Sequence, residues 1–253
     1  MLSKNNIKYI RSLKLKKFRQ KYNNFVVEGD KISKEMLSQG SAVIENIYAL
    51  PSWIETNAEL LKIYKNKLTP ITEKELKKIT FLTTPNEVLI VARTLPEDAD
   101  DEAVNNGLSI FLDGIQDPGN LGTIIRTADW FGIKTVFCSE DCVSLYNPKT
   151  LQATMGAFLR VNVIPIAFPA LLAKFPKLPV YGTVTDGKNI FEAKLGKKGI
   201  IVIGSEGQGI SSQVLEQISY KLTIPPGDSG GAESLNAAVA AGIVCAVFNN
   251  HKL

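Results

Sequence analysis

Five polar side chains stand in glycine-rich surroundings in this sequence of 253 residues. Asn120 and Arg126 lie in Asp113–Gly132, Glu206 in Gly204-Ser205-Glu206-Gly207-Gln208-Gly209, and Ser234 and Asn236 at the end of a loop that starts at Pro226. Amides, a hydroxyl and a carboxylate offer fixed hydrogen bonds, and a guanidinium offers five donors and a permanent positive charge. That set suits the binding of a phosphate or the stabilisation of a developing oxyanion. Histidine is nearly absent, since the sole one is His251 beside the C-terminus. Cys138 and Cys142 have no second cysteine pair and no neighbouring histidine, so they read as structural thiols and not as a zinc site. Cys245, within an apolar run, reads as a small core residue. Covalent hydrolase chemistry and metal-assisted hydrolysis are disfavoured on this inventory, and no metal is expected.

The glycines need weighing as well. A glycine after a strand most often only makes a turn, so one such loop alone says little. Neither G-x-G-x-x-G nor G-x-x-x-x-G-K-[ST] occurs, which argues against a dinucleotide-binding oxidoreductase and a P-loop. The 204–209 loop has its glycines in G-x-x-G-x-G order, which brings backbone close to a ligand by another route.

All three loops follow apolar runs, and the second half of the chain alternates strands with helices. Strands are expected at Ser109–Leu112, Thr135–Cys138, Val161–Ile164, Val180–Val184, Ile200–Ile203 and Lys221–Ile224. Helices are expected at Leu121–Phe131, Ala170–Phe175, Ser212–Ile218 and Leu235–Phe248. Nearly continuous apolar strands imply a parallel sheet covered on both faces, with ligands held beyond the carboxyl ends of its strands. The last helix has no polar face, so it should be buried on all sides, with a second copy of the chain supplying part of the cover. The bland alternative for Ser234 is the N-cap of that helix, a role compatible with ligand contact.

The first half is also α/β. A helix over Ile7–Phe18, a strand at Phe25–Gly29, a helix at Lys31–Ser38 and a strand at Ile44–Leu50 come first. Helices near Ile54–Tyr64 and at Glu73–Ile79 and a strand at Val88–Ala92 follow. The acidic, unpatterned stretch Pro96–Gly107 reads as a linker, dividing the chain into domains 1–100 and 101–253. Residues 1–34 hold ten Lys or Arg against two acids, a net of +8 in a chain whose total is +4, so the rest carries −4. Such asymmetry suits a polyanion, although a solvated basic helix has the same composition.

Hydrophobic residues make up 45% and charged residues 21%, as in an ordinary globular protein. The longest apolar run, Ala237–Phe248, is 12 residues, against the roughly 18 or more of a membrane span, so no membrane association is expected. Charges interrupt every early apolar run, which speaks against a signal peptide. A cytoplasmic location is expected.

At the three loops the sequence resembles the SpoU, or TrmH-type, RNA 2′-O-ribose methyltransferases of the SPOUT superfamily. "DPGNLGTIIRTADWFG", "IVIGSEGQGIS" and "IPPGDSGGAESLNAAVAAGI" are similar to the family's three motifs, and "NPKTLQATMGAFLRV" to the stretch between the first two. "LKLKKFRQKYNNFVVEGDK" resembles the opening of the substrate-binding domain that many members carry. The resemblance implies an α/β fold with a C-terminal parallel-sheet SPOUT domain tied in a deep trefoil knot, preceded by a smaller α/β substrate-binding domain. It implies S-adenosyl-L-methionine as cofactor, methylation of a ribose 2′-hydroxyl in RNA, most of all ribosomal RNA, and a homodimer through the C-terminal domain. Transfer RNA as substrate and a non-catalytic RNA-binding member are the alternatives.

By motif position the resemblance implies that Gly204, Ile224 and Leu235 frame the cofactor through backbone contacts. Ile203, Ser205, Glu206, Pro225, Ser234 and Asn236 then line the site, and Asn120, Arg126, Glu206, Ser234 and Asn236 form the catalytic and structural polar set. Arg126 is expected to bind the neighbouring phosphate and stabilise the oxyanion, with Asn120 holding Arg126 or the ribose. Lys14, Lys16, Lys17, Arg19 and Lys21, with Arg126, are the expected RNA contacts. Two departures stand out: Pro226 replaces the methionine usual after Ile-Pro, in a slightly longer loop, and Gln152 stands where many members have arginine.

Overall fold

The structure, a computed structural model, describes residues 2–228 and 231–250. His251 and the third-loop residues Ser229 and Gly230 lie outside the described residues. The chain forms two compact units, Met1–Pro96 with Tyr146–Leu159, and Glu97–Leu145 with Arg160–Leu253. The stretch between the first two motifs thus packs with the N-terminal unit, which a cut at residue 100 alone does not convey.

In the first unit, β1 (Asn24–Glu28), β2 (Ile44–Ala49), β3 (Leu68–Pro70) and β4 (Val88–Arg93) form one sheet in the order β1-β4-β2-β3. β4 runs antiparallel to β1 and β2, while β3 lies parallel to β2. Ile10, Leu13, Val26, Tyr48, Leu76, Ile79, Leu89 and Val91 share one of its hydrophobic clusters. β3 escaped the sequence because it has three residues and ends in proline, too short for any alternation to register.

Two expected helices are interrupted. The Ile7–Phe18 pattern resolves into Lys4–Ser12 and Lys16–Tyr22. Leu13 is fully buried at the break, and the buried Arg19 guanidinium donates from Nη1 to the carbonyls of Leu13 and Lys14, at 3.1 and 2.8 Å. Those orphan carbonyls at the end of the first helix are thereby satisfied. The Ile54–Tyr64 pattern becomes Pro51–Thr56, Ala58–Leu61 and a 3-10 turn over Lys62–Lys67. There the Asn57 amide reaches back to the Trp53 carbonyl at 2.7 Å and competes with helix continuation.

A helix at Pro148–Thr154 completes this unit. Gln152 donates to the Glu28 carbonyl at 2.8 Å, and Phe25 meets the rings of Tyr146 and Phe158. The departure at Gln152 therefore has a structural use.

In the second unit, β5 (Leu108–Asp113), β6 (Thr135–Cys138), β7 (Asn162–Pro165), β8 (Val180–Asn189), β9 (Gly199–Gly204) and β10 (Tyr220–Thr223) form one six-stranded sheet. Every pairing is parallel, in the order β10-β8-β9-β5-β6-β7. The apolar strands are buried along their lengths, as a sheet covered on both faces requires. Phe111, Phe137, Phe168, Leu171, Phe175, Ile200 and Val202 share a cluster. The acidic Pro96–Gly107 stretch is not wholly a linker: Asp101–Asn106 is helical, with Asp100 accepting from the N–H groups of Glu102 and Ala103.

From β5 the chain proceeds outward through β6 and β7, then returns to place β8 and β9 on the other side of β5. The order reverses between β5 and β9, and parallel sheets open a ligand crevice at such a reversal. Among the described residues no helix is long and apolar enough to cross a membrane, and no three metal-ligating side chains gather.

Candidate functional site

β5 ends at Asp113, β9 at Gly204 and β10 at Thr223, so the three glycine-rich loops all leave the carboxyl edge of the sheet. The first loop leads into the helix Pro118–Trp130, where Asp117 is the N-cap and accepts from the Asn120 N–H at 2.8 Å. Pro118 occupies the first turn, where its missing N–H costs nothing. The second loop folds back on itself: the N–H of Ser205 reaches the Gly209 carbonyl at 3.0 Å, and the reverse bond is 2.9 Å. A Cβ on residue 204 would overlap Gly209, so only glycine permits this turn. The third loop ends at Asn236, whose Oδ1 accepts from the N–H groups of Ala238 and Val239 at 3.0 and 3.2 Å.

Three motif residues converge. Asn120 Nδ2 donates to Glu206 Oε1 at 2.9 Å, and Asn236 Nδ2 donates to Asn120 Oδ1 at 3.0 Å. Asn236 Nδ2 also donates to Glu206 Oε1, which accepts from the Ala237 N–H at 3.3 Å as well. One carboxylate oxygen thus gathers three donors drawn from two other loops. Hydrogen bonds to an ionised acceptor are about twice as strong as neutral ones, so Glu206 acts as a clasp across the crevice. Asp113, unremarked in the sequence, adds a second tie, since its buried carboxylate accepts from the Ser211 N–H at 2.7 Å. The available signal is an acid that closes an otherwise largely apolar strand.

Arg126 is elsewhere. It is exposed on the Pro118–Trp130 helix and, among the described residues, has no hydrogen bond or ion pair. Asn120 therefore does not hold Arg126, because its amide is engaged by Glu206 and Asn236. Ser234 is exposed and is not the cap expected: the helix begins at Ala237, two residues later than its apolar pattern, with Asn236 in the capping position.

Of the expected cofactor positions, Ile203 buries its side chain and can offer backbone only, while Gly204, Ser205 and Ile224 are half-buried and Pro225 and Leu235 exposed. The N–H groups of Ile224 and Leu235 donate to no protein acceptor among the described residues. Unfilled backbone donors fit an adenosyl group held mostly through main-chain contacts.

Cys138 and Cys142 are both buried and unbridged. Cys142 Sγ donates to the Leu112 carbonyl and accepts from the Ile115 N–H, each at 3.3 Å, fastening the end of β5. Hydrogen bonding from Cys138 brings the Cys142 thiol down to about 7, whereas Cys138 is pushed up.

The basic N-terminal set divides. Lys14, Lys16, Lys17 and Lys21 are exposed, with the ammonium groups of Lys17 and Lys21 over the rings of Phe18 and Tyr22. Arg19 is a correction: it is buried under the helix break and serves two backbone carbonyls, so its guanidinium is not presented at the surface to a phosphate. Burial also pulls its pKa downward.

Comparison with known proteins agrees with this geometry. The pattern of the SpoU rRNA Methylase family matches residues 107–246, and that of the MRM3-like substrate binding domain matches residues 4–90. The 23S rRNA (guanosine(2553)-2′-O)-methyltransferase RlmP of Bacillus subtilis is 31% identical over 94% of this chain and 93% of its own length. The solved structure of a TrmH-family protein from Porphyromonas gingivalis is 38% identical, with 98% of each chain covered and a TM-score of 0.86. An AdoMet-bound rRNA methyltransferase from Sinorhizobium meliloti shares the fold at 24% identity, covering 100% of this chain and 98% of its own, with a TM-score of 0.87. On the family match and the full-length relative together, the chain belongs to the SpoU rRNA methylase family.

Proposed function

We propose that the protein transfers a methyl group from S-adenosyl-L-methionine to a ribose 2′-hydroxyl of ribosomal RNA. The observation that carries this reading is the convergence of Asn120, Glu206 and Asn236 from three loops onto one crevice, with Arg126 left uncommitted on the adjoining helix. A non-catalytic member would have no need for that conjunction. Ribosomal RNA is favoured because the Bacillus subtilis relative is a 23S rRNA enzyme matched across nearly its whole length.

When bound, the cofactor supplies an electrophilic methyl on a sulfonium sulfur, so that a new O–C bond forms as the C–S bond breaks. The chain's residues hold and orient. Gly204, Ile224 and Leu235 would offer backbone, with Ile203, Ser205, Pro225, Ser234 and Asn236 around them. The Glu206 clasp fixes the spacing of the three loops. Arg126 would bind the phosphate beside the target ribose and stabilise the 2′-oxygen as its proton passes to solvent water. Its permanent charge suits that role better than proton abstraction. Alignment of acceptor oxygen, methyl and sulfur supplies much of the acceleration, on the order of 7–11 kcal/mol in well-oriented models.

The reading extends to assembly. The Ala237–Asn250 helix buries Ala237, Ala238, Ala241, Val244, Cys245 and Phe248, but Val239 and Ala246 stay exposed and Gly242, Ile243 and Val247 only half-buried. The complete burial expected of this helix is not met within one chain. A Cβ at Gly242 would touch nothing, leaving room for close approach. An unpartnered apolar stripe of this kind supports a homodimer through the 101–253 domain, and the six-stranded parallel sheet is consistent with the family's trefoil knot. The 1–100 domain would bind substrate RNA through Lys14, Lys16, Lys17 and Lys21. A cytoplasmic location fits three unbridged cysteines.

Two measurements test this. Calorimetry should show S-adenosyl-L-methionine binding with one site per chain. Mapping of 2′-O-methyl groups in 23S rRNA from cells with and without the gene should show one ribose whose methylation depends on it. No cofactor heat at saturating concentration, or identical methylation maps, would overturn the reading.

A further inference from the structure

The Pro118–Trp130 helix presents one exposed stripe formed by Gly119, Thr123, Arg126 and Trp130. Trp130 is 83% exposed, the most exposed large apolar residue described, and among the described residues its indole has no hydrogen-bond or ring partner. A single exposed apolar side chain is ordinary by itself; what marks this one is its place on the same helix stripe as Arg126. Trp130 lies four residues, hence about 6 Å of helix axis, beyond Arg126. Helical side chains lean toward the N-terminus, which puts the indole on the Arg126 side of its own Cα.

The electrostatics around it are also suited to RNA. Asp129, the residue before Trp130 in the chain, is ion-paired with Arg160, whose Nε lies at 3.1 and 3.0 Å and Nη2 at 2.7 Å from its carboxylate. Lys134 pulls the Asp129 carboxyl in the same sense, although burial dominates and raises its pKa. An indole flanked by an uncommitted arginine and shielded from its acidic neighbour matches a stacking platform for a nucleobase, where a π-face and cationic surroundings act together.

We propose that Trp130 stacks on a base flanking the target nucleotide and so sets which ribose reaches Arg126. This rests on the RNA-methylation reading above, and it makes Trp130 a positioning residue and not a catalytic one. Alignment of the strand along the helix would be fixed at two points one turn apart, the phosphate at Arg126 and the base at Trp130.

The chain has a second tryptophan, Trp53, which is 2% exposed and donates to Asp30. The difference in emission between the wild-type protein and Trp130→Phe therefore reports Trp130 alone. With a single-stranded uridine-rich RNA oligonucleotide as probe, this difference signal should be quenched and protected from acrylamide. On a 23S rRNA transcript, Trp130→Ala should raise KM roughly 10- to 100-fold, from the usual strength of base–aromatic stacking, with kcat within about twofold. Trp130→Phe should recover most of that loss. An emission indifferent to RNA, or an unchanged KM, would overturn the proposal. So would an indole already shielded from acrylamide in the RNA-free protein, which would assign it to contact with a second copy. Should the wild-type protein bind RNA and quench yet transfer no methyl group, the functional reading fails while the stacking stands.

Discussion

The two ends of the Pro118–Trp130 helix carry polar residues of opposite fates. At its first turn Asn120 has both ends of its amide engaged, donating to Glu206 and accepting from Asn236. Two turns later Arg126 has no partner among the described residues, and Trp130 beyond it stands bare. In the sequence Asn120 and Arg126 look alike, as polar residues in a glycine-rich motif, and Trp130 does not stand out. The structure separates a group that builds the crevice from groups that await a ligand. The same division recurs in the basic segment, where Arg19 is an internal strut and its lysine neighbours face solvent. Within a functional motif, then, polarity alone does not distinguish scaffold from contact; the partners do.

Removing one residue of each kind tests that division most sharply. Arg126→Ala should lower kcat on the order of 10²–10³-fold, the cost typical of losing one oxyanion-stabilising donor. Its cofactor Kd, measured by calorimetry, should stay within about twofold. A large rise in that Kd would place Arg126 with the scaffold and erase the distinction.

Glu206→Ala should act the other way. Losing hydrogen bonds to a charged acceptor costs about 1.5–3 kcal/mol each, so cofactor affinity should fall roughly 10- to 100-fold through loosened loops. The double variant with Asn120→Ala should lose far less than the sum of the single losses, because both remove the same clasp. Full additivity of the two would mean that the clasp is not a unit.

Arg19→Ala should destabilise the protein by about 1.5–3 kcal/mol in a urea titration, since the buried Leu13 carbonyl and the partly buried Lys14 carbonyl lose a charged donor. Gln replacements at Lys14, Lys16, Lys17 and Lys21 should leave stability nearly unchanged. They should instead flatten the dependence of log K on log salt for RNA, by about 0.7 for each phosphate no longer neutralised. An unchanged slope would make these lysines ordinary surface.

The smallest effect concerns Glu75. Its carboxylate accepts from the N–H groups of Thr72 and Leu2, which hold its pKa at about 2. A folded pKa below the unfolded value gives stability that is present above about 4.5 and lost as pH falls toward 2. The Tm gap between wild type and Glu75→Gln should therefore be widest near neutrality and shrink below pH 4. A gap independent of pH would show that the charge is idle.

Much of the fold is legible in the sequence. The six strands of the parallel sheet are marked by apolar runs, and Thr135–Cys138 and Glu73–Ile79 match in both bounds. Long, strongly patterned elements declare themselves because burial of their apolar faces dominates their formation. Breaks do not. The interruptions near Leu13 and Asn57 arise from one arginine and one asparagine folding back on nearby carbonyls, which no periodicity records. The helix at Asp101–Asn106 is hidden because its acidic, solvent-facing residues follow no apolar period.

Spacing and residue type alone determined the α/β architecture, the three loops at strand ends and the set of residues able to do chemistry. Tertiary structure decided which of them bond to each other: Asn120, Glu206 and Asn236, separated by 86 and 30 positions along the chain, meet only because parallel strands deliver their loops to one edge. It also decided that, among the described residues, Arg126 and Trp130 have no partner while Arg19 does. A hydrogen bond depends on distance and direction in space, and sequence order carries neither once the partners lie on different elements.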